Sequence, residues 1–188
     1  GRPEQSNILD LWRYDTASRE HQLWVSANDL IDDVSDDVTA LTMAERAERE
    51  RRRQFTLGIQ QYQWLGNNGQ VLVVADGAAY STAPYLTAPT LTAPANAAAA
   101  LEGPSIVLLT PGGSRNSGFN PSLSGSLLSY VRDGDLYFRH LDQDAAEFRV
   151  TEDGSDTLTN GLPDFLAAEE MHRFNGAWWS PCEGYLIY

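Results

Sequence analysis

Lysine is absent from this 188-residue sequence, and cysteine occurs once. All 13 basic residues are arginines, so chemistry that needs a lysine, such as a Schiff base or a phosphate-binding P-loop, is excluded within this chain. The single Cys182 excludes an internal disulfide and a thiolate metal cluster. No apolar run reaches the roughly 18–20 residues that a transmembrane helix requires, so no membrane span is predicted.

Positive charge is scarce as well. The sequence has 26 acidic residues against 13 basic ones, which gives a formal net charge of −13. Such a charge repels phosphate backbones and anionic lipids, so nucleic acid and membrane surfaces are not expected partners. The length and the 42% of hydrophobic residues fit one globular domain with a core of its own.

Catalytic motifs are also missing. No Gly-x-Ser-x-Gly nucleophile elbow occurs. Gly112 precedes Ser114 at the right spacing, but Asn116 stands where the motif requires its second glycine. The histidines His21, His140 and His172 lie far apart without metal-ligand spacing. We therefore predict no catalytic residues, no metal and no cofactor within this segment.

The pattern of turns and apolar runs predicts a mainly β domain over residues 1–188. Two strands around a polar turn form an opening hairpin at 9–25, and Asp133-Gly134 joins two further strands as a hairpin turn. One helix is predicted at 42–57, where Thr42 and Glu45 have capping-box spacing and five arginines follow. Strands fill 59–188, apart from a Thr-Ala-Pro-rich surface insertion at 81–104.

A weak internal repeat runs through the β region. Gly69, Gly125 and Gly184 each precede an apolar stretch, and they are separated by 56 and 59 residues (125 − 69 and 184 − 125). Four-stranded propeller blades recur at about 40–50 residues, and at longer intervals with insertions. The repeat favours a propeller, but any antiparallel β protein could show three such copies.

Glu169 and Glu170 are the most interesting titratable pair. Neighbouring helical residues point about 100° apart, so their carboxylates converge only at a helix end or in an irregular turn. There, both could accept charge-assisted hydrogen bonds from one ammonium group. Taken alone, the pair is more typical of a solvated helix face.

The context of the pair resembles a known family. Residues 160–171 combine Asn160-Gly161, an acidic-aromatic pair and a helical stretch containing Glu169-Glu170, and Trp178-Trp179-Ser180-Pro181 follows. This order resembles the double-glutamate segment in the N-terminal β-propeller of the dipeptidyl peptidase IV family of prolyl oligopeptidase-type serine peptidases. The resemblance implies a partial propeller of about two to three blades, with the helix at 42–57 as an Arg-rich cover helix of the bacterial type.

The resemblance also implies roles. Glu169 and Glu170 would bind the free N-terminal amine of a peptide substrate, and Arg53 (or its neighbour Arg52) would reach toward the substrate backbone. The parent protein would release X-Pro or X-Ala dipeptides, using a Ser/Asp/His triad in a C-terminal α/β-hydrolase domain that this segment lacks. Both ends of the sequence are expected to be cut from a longer polypeptide, and a periplasmic or secreted location is favoured by the resemblance alone.

Two alternatives stay open at this point. The segment could be a non-catalytic, propeller-like module that binds peptides or proteins, and a hydrolase domain downstream would distinguish the two. A structural role in oligomerisation is the third reading, because an incomplete propeller leaves open sheet edges that pair with another chain. A homo-oligomer is therefore predicted for the isolated segment.

Overall fold

The structure, a computed structural model, describes residues 8–31, 57–67, 69–82, 106–110, 116–141, 147–155 and 157–188. These residues form β-strands and one short α-helix, which confirms the mainly β prediction. Within these ranges, no helix is long and apolar enough to cross a membrane. The predicted cover helix with Arg53 lies outside the described residues, as does most of the Thr-Ala-Pro insertion.

Short strands separated by tight turns make up nearly all of the regular structure. The helix α1 spans Phe165–Met171. In chain order the strands are β1 (Ile8–Leu9), β2 (Leu11–Tyr14), β3 (His21–Val25), β4 (Leu57–Leu65), β5 (Gln70–Ala75), β6 (Ala78–Thr82), β7 (Ile106–Leu108), β8 (Asn116–Pro121), β9 (Leu127–Arg132), β10 (Asp135–His140), β11 (Glu147–Arg149), β12 (Trp178–Trp179) and β13 (Leu186–Ile187).

Two antiparallel meanders form the body of the fold. The first joins β4, β5, β6 and β7 in sequence order, and β1 pairs in parallel with the free side of β4. The second joins β8, β9, β10 and β11 in the same way. Two-stranded antiparallel sheets, β2–β3 and β12–β13, account for the remaining strands.

The strands β5 and β9 inside the meanders are buried on both faces. Successive side chains of each strand point to opposite sides, so each strand contributes to two cores. On β5, Val71 and Val73 contribute to a first core together with residues of hairpin β2–β3. Leu72 and Val74 point the other way, into a second core shared with the second meander. Each fully buried Leu or Val contributes about 1.5–3 kcal/mol, so these alternating residues stabilise the stacking of three sheets.

Strand β9 repeats this arrangement one sheet further along the stack. Leu128 and Tyr130 face the second core, toward the first meander. Val131 faces a third core with Leu136 and Ala177, the residue just before β12. The sheets therefore pack face to face in chain order, and β12 with its preceding loop covers the last face.

The turns that precede β5, β9 and β13 lie next to one another at one rim of the stack. Gly66 and Gly125 have positive φ angles of 58° and 77°. A Cβ atom on Gly66 would lie 2.0 Å from the carbonyl oxygen of Ser124, so the first two turns touch backbone to backbone. Glu183, in the third turn, accepts hydrogen bonds from the backbone N–H and the hydroxyl of Ser124 at 2.6 and 2.8 Å.

A polar network crosses the second meander beside Tyr130. The Arg132 guanidinium donates to both carboxylate oxygens of Glu147, at 2.7 and 2.8 Å, and to the side chain of Asn116 at 2.8 Å. It also lies 5.0 Å from the ring centre of Tyr137, and the Tyr130 hydroxyl donates to Glu147. The network thus links β8, β9, β10 and β11 through side chains.

The network shifts the titration of its members. Burial disfavours the charged carboxylate of Glu147, but the hydrogen bonds from Arg132 and Tyr130 outweigh burial and lower its pKa. Burial, together with the hydrogen bond to Glu147, raises the pKa of Tyr130. The folded state therefore favours the ionised form of Glu147 and the neutral form of Tyr130.

The structure confirms most predicted strands and adjusts some bounds. Asp133-Gly134 is the two-residue turn between β9 and β10, with positive φ angles of 50° and 85°. The opening hairpin is present, but Asp10 separates β1 from β2, and its carboxylate accepts a hydrogen bond from the Ala27 N–H at 2.8 Å. Residue 57, predicted as the last residue of the helix, begins β4.

The predicted start of the Thr-Ala-Pro insertion also moves. Ser81 and Thr82 belong to β6, so the sheet continues two residues into the predicted insertion. Thr82 is held there because its hydroxyl accepts a hydrogen bond from the Val71 N–H at 2.9 Å. This side-chain contact between β6 and β5 leaves no mark in the local sequence.

Candidate functional site

The candidate site is carried by α1, whose start is specified locally. Asp164 is the N-cap residue in extended conformation, and its carboxylate accepts a hydrogen bond from the Ala167 N–H at 2.7 Å. Ala167 is the buried residue of the helix. The helix ends at His172, which adopts the left-handed conformation with φ 51°. Within this short helix, Glu169 and Glu170 fall in the last turn.

The two glutamates therefore lie at a helix end, one of the two settings in which neighbouring carboxylates could bind one ammonium group. Glu169 is half-buried and Glu170 is exposed. The last turn contains no basic residue, and the negative end of the helix dipole disfavours carboxylates there by about 0.3–1 kcal/mol each. A cation placed against this turn would offset both the dipole and the mutual repulsion of the pair.

Apolar side chains flank the carboxylates on the helix surface. Phe165 lies one turn before Glu169, and Leu166 lies one turn before Glu170, at the i, i+4 spacing that brings helical side chains together. Both are more than half exposed. The arrangement offers two negative groups beside an apolar surface, which suits a ligand that combines an ammonium group with a hydrophobic side chain.

Close backbone packing fixes the loop that leads into α1. A Cβ atom on Gly176 would lie 2.5 Å from the carbonyl carbon of Leu162. A Cβ atom on Gly161, which has φ 80°, would lie 2.8 Å from a methyl carbon of Leu136. Leu162 in turn packs against the third core. Because only glycine fits at these contacts, the loop holds α1 close to the second meander.

The two tryptophans after the helix have different roles. The Trp179 indole N–H donates to the backbone oxygen of Asn120 at 3.0 Å, and its ring meets Phe138 edge to face at 5.9 Å. The Asn120 side chain donates to the Ala177 oxygen, also at 3.0 Å. Trp178 remains 43% exposed, and its ring receives the guanidinium of Arg173 at 5.0 Å.

Asn120 and Arg173 are residues that the sequence analysis missed. A signal existed for Asn120, since aligning the repeat glycines places Trp64, Asn120 and Trp179 at one position, five residues before Gly69, Gly125 and Gly184. Arg173 had no such signal. Its contact with the Trp178 ring forms after the left-handed turn at His172.

Glu169 and Glu170 both lie in the last turn of α1, whereas Arg53 and Arg52 lie outside the described residues. The role of either arginine therefore remains a prediction. In the described part of the chain, no group of three or more His, Cys, Asp or Glu side chains could hold a metal ion. The chemistry of the site is that of paired carboxylates beside aromatic and apolar side chains.

Comparison with known proteins identifies the region that carries the site. Residues 99–188, just under half of the chain, match the family model for the dipeptidyl peptidase IV (DPP IV) N-terminal region. The chain is 37% identical over 68 residues to a probable dipeptidyl-aminopeptidase B of Podospora anserina, a match that covers 36% of this chain and 7% of that protein. It is also 37% identical over 62 residues to dipeptidyl aminopeptidase B of Saccharomyces cerevisiae, covering 32% and 8%.

These matches span less than a tenth of the length of each relative. The region that matches the family model includes β7 to β13 and α1. Residues 99–188 of this chain are therefore homologous to the N-terminal region of dipeptidyl peptidase IV.

Proposed function

We propose that Glu169 and Glu170 bind the free N-terminal ammonium group of a peptide, and that the chain is the substrate-binding propeller segment of a serine dipeptidyl peptidase. The observation that carries this proposal is the position of both carboxylates in the last turn of α1, at the negative end of the helix. An ammonium ion there receives two charge-assisted hydrogen bonds and offsets an unfavourable local field.

The fold supports the architectural part of the proposal. Two four-stranded antiparallel meanders, stacked face to face with buried cores between them, are what neighbouring blades of a propeller require. The β12–β13 pair begins a third unit on the far side of the second meander. We propose that these units are blades and that the predicted cover helix with Arg53 reaches the substrate from the first of them.

In the parent protein, the proposed chemistry is the release of X-Pro or X-Ala dipeptides. Binding the amine at Glu169 and Glu170 sets how far the chain reaches toward the nucleophile, so the second peptide bond is presented for attack. The Ser/Asp/His triad would come from a C-terminal α/β-hydrolase domain, which is a proposed partner of this segment. The curated relatives reported above are fungal, so the bacterial type stays a prediction.

The experiment that tests the amine site uses this chain alone. Binding of an Ala-Pro peptide with a free amine would be compared with its N-acetylated form by isothermal titration calorimetry or NMR. We expect the acetylated peptide to bind at least about tenfold more weakly, since acetylation removes the charge that both carboxylates recognise. Equal binding of the two forms would contradict the proposal.

Variants sharpen the test. The Glu169→Gln/Glu170→Gln protein should lose the preference for the free amine while keeping the fold, because both side chains retain their size. A matched control, Glu20→Gln/Asp29→Asn, removes two negative charges from exposed positions on the opening hairpin and the turn after it. If the control lost the preference equally, net charge rather than the glutamate pair would explain binding. Arg53→Gln, assayed in parallel, tests the predicted backbone contact.

A further inference from the structure

Arg173 connects the end of α1 to strand β12. Its backbone N–H donates to the Ala167 carbonyl oxygen at 3.0 Å, which closes the last turn of the helix. Its guanidinium lies over the Trp178 ring at 5.0 Å and donates to the Asn175 oxygen at 3.3 Å. The residue thus contacts both the helix that carries the glutamates and the strand that follows them.

The direction of the Arg173 side chain is informative. Although Glu169 and Glu170 lie only three and four residues earlier, the described contacts of the Arg173 guanidinium are with Asn175 and the Trp178 ring. An arginine attracted mainly by charge would turn toward the carboxylates. Here the aromatic ring holds the cation, and a cation over a tryptophan face is favourable in this geometry.

We propose that Arg173, held by Trp178, is a positioning residue that orients the Glu169–Glu170 turn for amine binding. The inference rests on the proposed function of that glutamate pair. The ring contact and the hydrogen bond to Asn175 fix the connection between α1 and β12. The helix has only seven residues, so its last turn depends on such an external contact for its orientation.

Two possible roles of Arg173, as a nearby positive charge or as a positioning residue, predict opposite effects of its replacement on ligand binding. If the guanidinium acted only as a nearby positive charge, Arg173→Gln would strengthen binding of an ammonium ligand by removing repulsion. If it positions the turn, the same replacement weakens binding. Arg173→Lys isolates position from charge, because lysine keeps the charge but lacks the planar group that stacks on the indole.

The test measures the affinity of an Ala-Pro peptide, with free and with acetylated amine, for this chain and its variants. We expect Arg173→Lys, Arg173→Gln and Trp178→Leu each to weaken binding of the free-amine peptide by about three- to tenfold. Binding of the acetylated peptide should stay unchanged. Trp178→Phe keeps an aromatic face and should retain most of the affinity.

A double-mutant cycle tests whether Arg173 acts through Trp178. Because Arg173 acts through Trp178, the Arg173→Lys/Trp178→Leu protein should bind no more weakly than either single variant. Arg19→Gln, at an exposed turn of the opening hairpin, is the matched control for loss of one positive charge. Thermal melts of every variant establish that the fold persists.

Three results would overturn the inference. Unchanged or tighter binding by Arg173→Gln would show that the residue does not position the site. Fully additive losses would show that Arg173 and Trp178 act separately. Wild-type protein that does not distinguish the two peptides would remove the amine site itself, and this failure is recognised by the wild-type data alone.

Discussion

The Glu183 carboxylate accepts hydrogen bonds from both the backbone N–H and the hydroxyl of Ser124, at 2.6 and 2.8 Å, and a third from the Ser126 hydroxyl at 3.0 Å. This contact joins the turn before β13 to the turn before β9. Since β12 and β13 form a sheet of two strands, they depend on such contacts for their position. The backbone bond from Ser124, with the hydroxyl bonds, lowers the pKa of Glu183.

Replacing Glu183 should loosen the third unit. Glu183→Ala removes all three acceptor bonds, and after discounting for solvent screening we expect a loss of about 1 kcal/mol in the free energy of unfolding. Ser124→Ala should cost less, because the backbone N–H still donates. Urea denaturation measures both, and a double variant less destabilised than the sum would confirm the contact. Wild-type stability in Glu183→Ala would contradict it.

The close contact between Gly66 and Ser124 makes a second prediction. Gly66→Ala places a Cβ atom against a backbone carbonyl at a positive φ angle, so we expect about 2 kcal/mol or more of destabilisation. Gly184→Ala is the matched control, because its Cβ atom would meet only the Cys182 sulfur, at 3.7 Å. Thermal denaturation should separate the two variants clearly. Equal melting temperatures would mean that the first two turns do not touch.

Acid should weaken the second meander through Glu147. Its folded pKa lies below the ordinary value of about 4.5, so the stability that it contributes is present above that pH and is lost as the pH falls through the lowered pKa. We expect a decrease of about 1 kcal/mol between roughly pH 5 and pH 3. Glu147→Gln should show a flatter dependence in that range, measured by urea denaturation at several pH values. An identical slope in both proteins would count against the network.

Alkaline pH should lower the stability of the fold through ionisation of Tyr130. The folded state raises its pKa, so the stability that the neutral phenol contributes is complete below about pH 10 and is lost as the pH rises further. Tyr130→Phe, which lacks the titrating hydroxyl, should lose less stability between pH 9 and pH 11 than the wild type. Parallel loss in the two proteins would assign alkaline unfolding to other groups.

Self-association remains a prediction, and the structure suggests where to test it. Tyr185, Ile187 and Tyr188 on and beside β13 are each more than half exposed. Ile187→Lys should shift the isolated chain toward monomer in analytical ultracentrifugation, because a charge on an exposed strand opposes pairing with another chain. Ala17→Lys, at an exposed turn, is the control. A wild-type chain that sediments as a compact monomer would contradict the prediction.

Local signals in the sequence determined the elements of this protein. Asp133-Gly134 predicts its turn because both residues tolerate positive φ, and the alternation along β5 reflects burial on two faces. The glutamate pair at the end of a short helix was also predictable, since Asp164 caps the start and the order of motifs up to the tryptophan pair resembles a known family.

The tertiary structure alone decided how those elements meet. Trp179 bonds to Asn120 across 59 residues of sequence, and Glu183 bonds to Ser124 across the same distance. The ion pair between Arg132 on β9 and Glu147 on β11 crosses β10, where the guanidinium lies over the ring of Tyr137. Such contacts join residues with no local periodicity in common, so their geometry depends on the stacking of whole sheets. Local propensity specifies strands and turns, whereas the site is positioned by the packing between them.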